Sequence, residues 1–226
     1  MFANRRKNST YLPDSDGLTN PIYYSRLANP YFTPYSENGN YNYDIDVEND
    51  VDMDFGFNPF EELKNTSNET TINGLSSIFD AELRFDDRFK ITTQLGLQLD
   101  KTSIEKIADG ESFAMRKEKK NHRSNGVTYL PEGGFHKANE NSLSQLTWKA
   151  MGEYRDTYND IHEFEVMVGT EIRKTWEEKL YSAGYGFDRK TLTTKPIIFP
   201  EESQAFKLHE KAHVENAYVS AFSTLS

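Results

Sequence analysis

The sequence contains no cysteine, which removes disulfides, thiolate metal sites and thiol catalysis in one step. It has no run of 18 apolar residues, so no helix of it can cross a bilayer. A membrane β-barrel is untouched by that absence, because its strands need only about 9 to 11 alternating residues. Basic side chains are short of acidic ones, 26 against 36, and the resulting formal charge of -10 opposes nonspecific binding of nucleic acid, itself a polyanion. Hydrophobic residues are only 36% of the 226, too few for a Leu/Ala-rich helical protein. What is plentiful is aromatic: 13 tyrosines and 15 phenylalanines, too many rings for a disordered acidic tail. Met1 to Thr10 is basic but lacks the apolar stretch of a secretory signal. The expectation is a cytoplasmic chain or one preceded by further sequence.

Residues 1–74 read as an irregular loop region, because five of the eight prolines fall there and no period of 2 or 3.6 persists. From Leu75 the pattern changes. Leu75, Phe79, Ala81, Leu83 and Phe85 share one parity, and after a short turn Phe89, Ile91, Thr93, Leu95, Leu97 and Leu99 alternate with polar residues. A second hairpin sets Leu146, Trp148, Ala150, Gly152 and Tyr154 against Phe164, Val166, Val168, Thr170 and Ile172, joined by an Asp156–Asp160 turn. Ala217, Val219, Ala221 and Leu225 suggest one more strand. The sequence thus predicts strands at about 75–85, 89–99, 146–155, 161–173 and 216–226, with long connections at 101–144 and 174–215. No proline interrupts these segments, as a ladder needing every N–H requires.

Such alternation also fits a soluble β-rich binding module, half-buried against a second layer. Three features favour a barrel. Connections alternate short and long, the rhythm of tight periplasmic turns and extended outer loops. Each strand has about 11 residues, which at 3.3 Å per residue and a 45° tilt covers about 25 Å, the height of an outer-membrane apolar band. Aromatics bracket both short turns, Phe85 and Phe89 at one, Tyr154 and Tyr158 at the other, where a boundary girdle would place them. Under this reading Leu83, Phe85, Phe89, Ile91, Leu95, Leu97, Trp148, Phe164, Val166 and Val168 face lipid. The opposite parity carries Asp80, Glu82, Arg84, Lys90, Lys149, Glu153, Arg155, Glu165, Glu171 and Arg173, charges that need water. Five strands cannot close, and an open edge in hydrocarbon leaves backbone groups unpaired. The expected architecture is therefore all-β, antiparallel and up-and-down, five neighbouring strands of a larger barrel.

The segments Asn20-Pro-Ile-Tyr-Tyr-Ser-Arg26, Asn29-Pro-Tyr-Phe-Thr-Pro-Tyr35, Glu37-Asn-Gly-Asn-Tyr41 and Asn58-Pro-Phe-Glu-Glu-Leu-Lys-Asn-Thr-Ser-Asn68, with Tyr181-Ser-Ala-Gly-Tyr-Gly-Phe187 and Glu215-Asn-Ala-Tyr-Val-Ser-Ala-Phe222, carry a resemblance to a family. In order and spacing they resemble the middle of SusC/RagA-type TonB-dependent outer-membrane transporters. The resemblance implies a 22-stranded barrel with long extracellular loops in the bacterial outer membrane, importing an oligosaccharide (glycan) or peptide. It further implies a SusD-like surface lipoprotein and the TonB complex as partners. No plug domain, TonB box or terminal insertion strand of that family is present in these 226 residues, so the expectation is an internal barrel fragment.

A rival lies in His209-Glu-Lys-Ala-His213, which fits the H-E-x-x-H pattern of zinc metallopeptidases if it is helical. The alternating acids Asp44 to Asp54 could bind calcium, although they lack the glycine of an EF-hand loop. No metal, cofactor or catalytic residue is assigned from either. The loop aromatics Tyr31, Phe32, Tyr35, Tyr41, Tyr43, Trp176, Tyr181 and Tyr185 are the candidate substrate contacts, because flat rings stack on sugars and peptides alike.

Overall fold

The computed structural model describes residues 2–13, 17–45, 56–86, 88–158, 162–199 and 207–225. Strands account for 65% and helices for 12%, so the fold is all-β. In chain order the elements are β1 (Phe2–Thr10), α1 (Pro21–Leu27), α2 (Pro59–Asn65), β2 (Thr66–Asp86), β3 (Phe89–Ala108), α3 (Phe113–Asn121), the small hairpin β4 (Arg123–Ser124) and β5 (Val127–Thr128), β6 (Gly134–Tyr158), β7 (His162–Asp188), β8 (Thr193–Lys195) and β9 (His209–Leu225). One curled, half-barrel sheet runs β1-β2-β3-β6-β7, with β8 and β9 both pairing to β7, and every pairing is antiparallel. The up-and-down order puts every long connection at one end of the strands and the short β2–β3 and β6–β7 turns at the other.

The strands run well beyond the alternating segments. β2 begins at Thr66, β3 continues to Ala108, and β6 and β7 reach back to Gly134 and on to Asp188. β1 lies inside the region read as irregular and pairs from Phe2↔Ser76 to Thr10↔Asn68. The reason is physical: toward the long-connection end apolar residues such as Ile104, Phe135, Leu180 and Tyr185 mix with charged and amide side chains on both faces, so period-2 hydrophobicity vanishes while the backbone ladder continues. The short helices are set by local chemistry. Asn20, Asn58 and Ser112 each accept from first-turn amides as N-caps, and proline opens α1 and α2.

Register aligns the parities across the whole sheet. Phe79, Leu95, Trp148, Ile172 and Val219 form one row, and Leu83, Ile91, Gly152, Val168 and Ser223 another, on the same face. The row Asp80, Gln94, Lys149, Glu171 and Ser220 lies on the other. Among the described residues no second layer packs on the apolar face: Leu95 is 38% exposed, Leu97 42% and Val168 57%. The buried core sits instead at the long-connection end. One cluster joins Leu12, Met115 and Leu130 to the strand residues Ala108, Phe135, Ala183 and Tyr185, and a second joins Leu18, Tyr24, Phe57 and Phe113.

Candidate functional site

Two surfaces carry chemistry, the polar face of the sheet and the cap that folds over its far end. Near the short turns the polar face holds a continuous ionic chain across four strands. Arg84 pairs with Glu82 at 2.6 Å, Glu82 with Lys90 at 4.0 Å, Lys90 with Glu153 at 3.5 Å, and Arg155 bridges Glu153 and Glu165 at 3.3 and 3.2 Å. Farther along, Glu171 takes Lys149 and Arg173. Exposed pairs of this kind contribute little stability. They mark a face that stays hydrated.

The cap docks on this polar face, because Ala108, Phe135 and Tyr185 share its parity. α3 is clamped at both ends. At its start the Glu62 carboxylate accepts from the Phe113 and Ala114 amides at 2.6 and 3.2 Å. Farther along, Glu118 receives Lys137 Nζ at 2.5 Å and the Tyr185 hydroxyl at 3.1 Å. Gly133, at φ +124°, lies against the Gly186 backbone so closely that a Cβ would sit 2.8 Å from its carbonyl carbon. Around the second core cluster, the Tyr24 hydroxyl donates to Asp44 at 3.2 Å, while Asn58 Nδ2 donates to the Pro34 and Asn42 carbonyls at 2.8 and 2.6 Å. Burial and the Asp44 carboxylate push the Tyr24 hydroxyl well above its usual range.

Burial pushes Glu62 from 4.5 up to about 7, although its two amide donors favour the charged form. The sign follows from linkage. The folded cap binds a proton that the unfolded chain releases above pH 4.5, so its stability is full below that value and falls as pH rises through 7. The plateau loss is about 3 kcal/mol by the usual conversion. Hydrogen-exchange protection of α3 should therefore be lower at pH 8 than at pH 5, and Glu62→Gln should flatten the difference. Equal protection at both pH values in the parent chain would contradict it.

The candidate ring residues fall into three places. Tyr35 brings together Tyr41 at 5.4 Å and Phe60 at 5.7 Å between centroids, a trio on the cap in which Tyr35 and Phe60 are exposed and Tyr41 half-buried, with Lys64 6.0 Å from the Tyr41 ring. Tyr31 is 90% exposed on the same segment, Phe32 is half-buried beside it, and Tyr43 donates its hydroxyl to Glu61 at 2.8 Å. Tyr181 packs against the first core cluster and lines a polar-face groove of about 300 Å³ with Thr102, Ile104, Asn139, Asn141 and Glu210. Tyr185 is 2% exposed and serves the core. Trp176 shares the apolar face, beneath Lys174 at 4.9 Å, apart from the other rings. Apart from Tyr181 and Glu210, the groove residues carry no signal in the sequence, because their strands lie where alternation has ended.

The H-E-x-x-H segment lies on β9, not on a helix. In an extended strand His209 and His213 stand about 13 Å apart, and Glu210 points to the opposite face. The metallopeptidase geometry is absent. Asp44 is buried, accepting from Tyr24 and the Asn29 amide, while Asp46 to Asp54 lie outside the described residues.

The fold is similar to RagAB chains. The structure of the RagAB peptide transporter superposes with a TM-score of 0.57 at 15% identity, covering 86% of this chain and 20% of that one. The RagAB peptide importer gives 0.56 in its open-open state and 0.53 in its closed-closed state, each at 15% identity over 88% of this chain and 20% of that chain. This chain thus spans a fifth of the RagAB chains it matches, and at that identity the likeness is one of fold. No protein-family model and no curated protein matches the sequence.

Proposed function

We propose that the chain forms wall and substrate-side cap of a RagA/SusC-type, TonB-dependent importer in the bacterial outer membrane. One observation carries this reading: the register gathers the apolar side chains into an uncovered belt on one face and the charges onto the other. In it, Leu83, Phe85, Phe89, Ile91, Leu95, Leu97, Trp148, Phe164, Val166 and Val168 contact lipid, and the ionic chain from Arg84 to Glu165 lines a hydrated lumen. A soluble module would need a layer over Leu95 and Leu97, which stay exposed. The chain performs no catalysis of its own. The long-connection end faces outward, where a SusD-like lipoprotein would cover the cap, and TonB supplies force from the other side.

Of the two substrate classes we put peptides first. RagAB chains are named as peptide importers, and the groove offers the Asn139 and Asn141 amides, each able to donate and accept, beside Ile104 and Tyr181. Tyr31, Phe32, Tyr35 and Tyr41 make first contact on the cap. Combining Tyr31→Ala, Tyr35→Ala and Tyr41→Ala should weaken capture of a labelled oligopeptide mixture by cells about tenfold, since each ring contact contributes about 0.5–1.5 kcal/mol. Uptake that is the same in cells lacking the protein altogether would end the transport reading. Uptake that depends on the protein but not on the rings would remove only their role.

A further inference from the structure

We infer that Lys106 is a specificity-determining residue that receives a carboxylate of the imported peptide, an inference that rests on the transport reading. Lys106 lies on the polar face of β3, with Asn68 and Lys137 directly across from it on the two neighbouring strands. One row toward the cap stand Ala108 and Phe135 of the first core cluster. One row the other way stand Ile104 and Asn139, which line the groove of about 300 Å³. The lysine thus occupies the step between groove and cap. What sets it apart is the lack of a counter-charge. On β3, β6 and β7 the other lysines of the polar face each have a carboxylate: Lys90 has Glu153 at 3.5 Å, Lys149 has Glu171 at 3.5 Å, Lys179 has Glu177 at 2.9 Å, and Lys137 has Glu118. Among the described residues Lys106 makes no ion pair, side-chain hydrogen bond or ring contact, although it is half-buried.

The surrounding carboxylates are all committed elsewhere. Glu69 and Glu105 have the opposite parity and are engaged on the other face, Glu69 by Lys7 at 2.8 Å and Glu105 by His136 at 2.8 Å. Glu140 likewise meets Lys101 at 3.0 Å on that face. Glu118 reaches down from the cap but is occupied by Lys137 and the Tyr185 hydroxyl. Glu210 of the groove is three strands away and pairs with Lys207 at 3.0 Å. Asn68 brings no anion: its Nδ2 donates to Thr10 Oγ1 at 2.8 Å and the Tyr11 carbonyl at 3.2 Å, and its Oδ1 is buried without a partner. A half-buried ammonium facing a second lysine across the ladder is costly until an anion arrives. A carboxylate bound there gains charge-assisted hydrogen bonds in a partly desolvated place, whereas a carboxamide of the same shape accepts without the charge. The residue therefore separates Glu from Gln rather than large from small. Acidic side chains and a free C-terminus present the same chemistry to it.

Uptake of labelled oligopeptides of one length by cells that make the protein tests the assignment. Three forms are compared: Glu-containing with an amidated C-terminus, Gln-containing with an amidated C-terminus, and Gln-containing with a free C-terminus. A form carrying the recognised carboxylate should be taken up about tenfold better than the all-amide form, the difference between a charged and a neutral hydrogen bond. Preference for the first form assigns the carboxylate to side chains, and preference for the third assigns it to the terminus. Lys106→Gln and Lys106→Met should each bring the three forms to the same uptake, and Lys106→Arg, which keeps the charge, should retain their order. Equal uptake of all three by the unsubstituted protein overturns the role of Lys106 and leaves transport standing. So does an order that survives Lys106→Gln, or a parallel loss of all three forms at an unchanged surface level of the variant, which would make the lysine a wall residue. Lys106-dependent uptake of an oligogalacturonate with every peptide refused would overturn it too, in favour of an acidic glycan. Peptide uptake that cells without the protein match removes the transport reading and the specificity residue together.

Discussion

On the proposed barrel reading, Leu95→Arg is expected to lower stability in the membrane by about 2–4 kcal/mol, the cost of an arginine on a lipid face at mid-bilayer. Leu95 sits mid-belt, flanked across the ladder by Phe79 and Trp148, and it is 38% exposed with no layer above it among the described residues. Its neighbour supplies the control. Gln94 points to the polar face, where its amide donates to Asp80 at 2.7 Å, so an arginine there meets water and a carboxylate. Gln94→Arg should change stability by less than about 1 kcal/mol. Denaturant titration of both variants in phospholipid vesicles measures the contrast. Equal effects at positions 94 and 95 would mean that the two faces see the same solvent, which is incompatible with a barrel wall.

Phe113→Ala should cost about 3–5 kcal/mol, the range for emptying a buried ring site that cannot collapse. Phe113 is 1% exposed and meets Phe57 edge-on at 5.1 Å, and Phe57 in turn meets Tyr24 at 5.0 Å. Removing the first ring unsettles a stack that ties α1, α3 and the 56–58 segment together. The amide of residue 113 is also one of the two donors to Glu62. The loss should be regional: hydrogen exchange should speed up in α3 and around Asn58, while the β3/β6 ladder near Thr93 and Lys149 keeps its protection. Uniform acceleration across the sheet would show that cap and wall unfold as one unit, whereas the cluster around Phe113, with Leu18, Tyr24 and Phe57, draws no residue from the sheet strands.

Legibility followed the solvent. Leu83 to Leu99 and Leu146 to Ile172 were readable because one face is apolar and the other charged, so the two-residue period is written in the residue types. β1 was not readable, since all of its residues are exposed and only its backbone pairing to β2 makes it a strand. The upper halves of β6 and β7 were missed for the same cause. The H-E-x-x-H spacing misleads because a four-residue separation means adjacency only on a helix, and β9 is extended. Among the candidate rings, sequence offered no means to part Tyr185 from Tyr181, although one is enclosed by the cap and the other borders the groove.

By itself the sequence determined the antiparallel, two-faced character of the strands and the turn rhythm, because alternation and turn residues are local properties that each segment carries alone. Only the tertiary structure decided which rows line up, where the strands end and which polar residues the cap encloses. Those depend on register and on contacts between residues far apart in the chain, such as Glu62 with Phe113 and Glu118 with Lys137 and Tyr185. No short window of sequence encodes such meetings, since each partner alone is an ordinary surface residue until the fold removes its water.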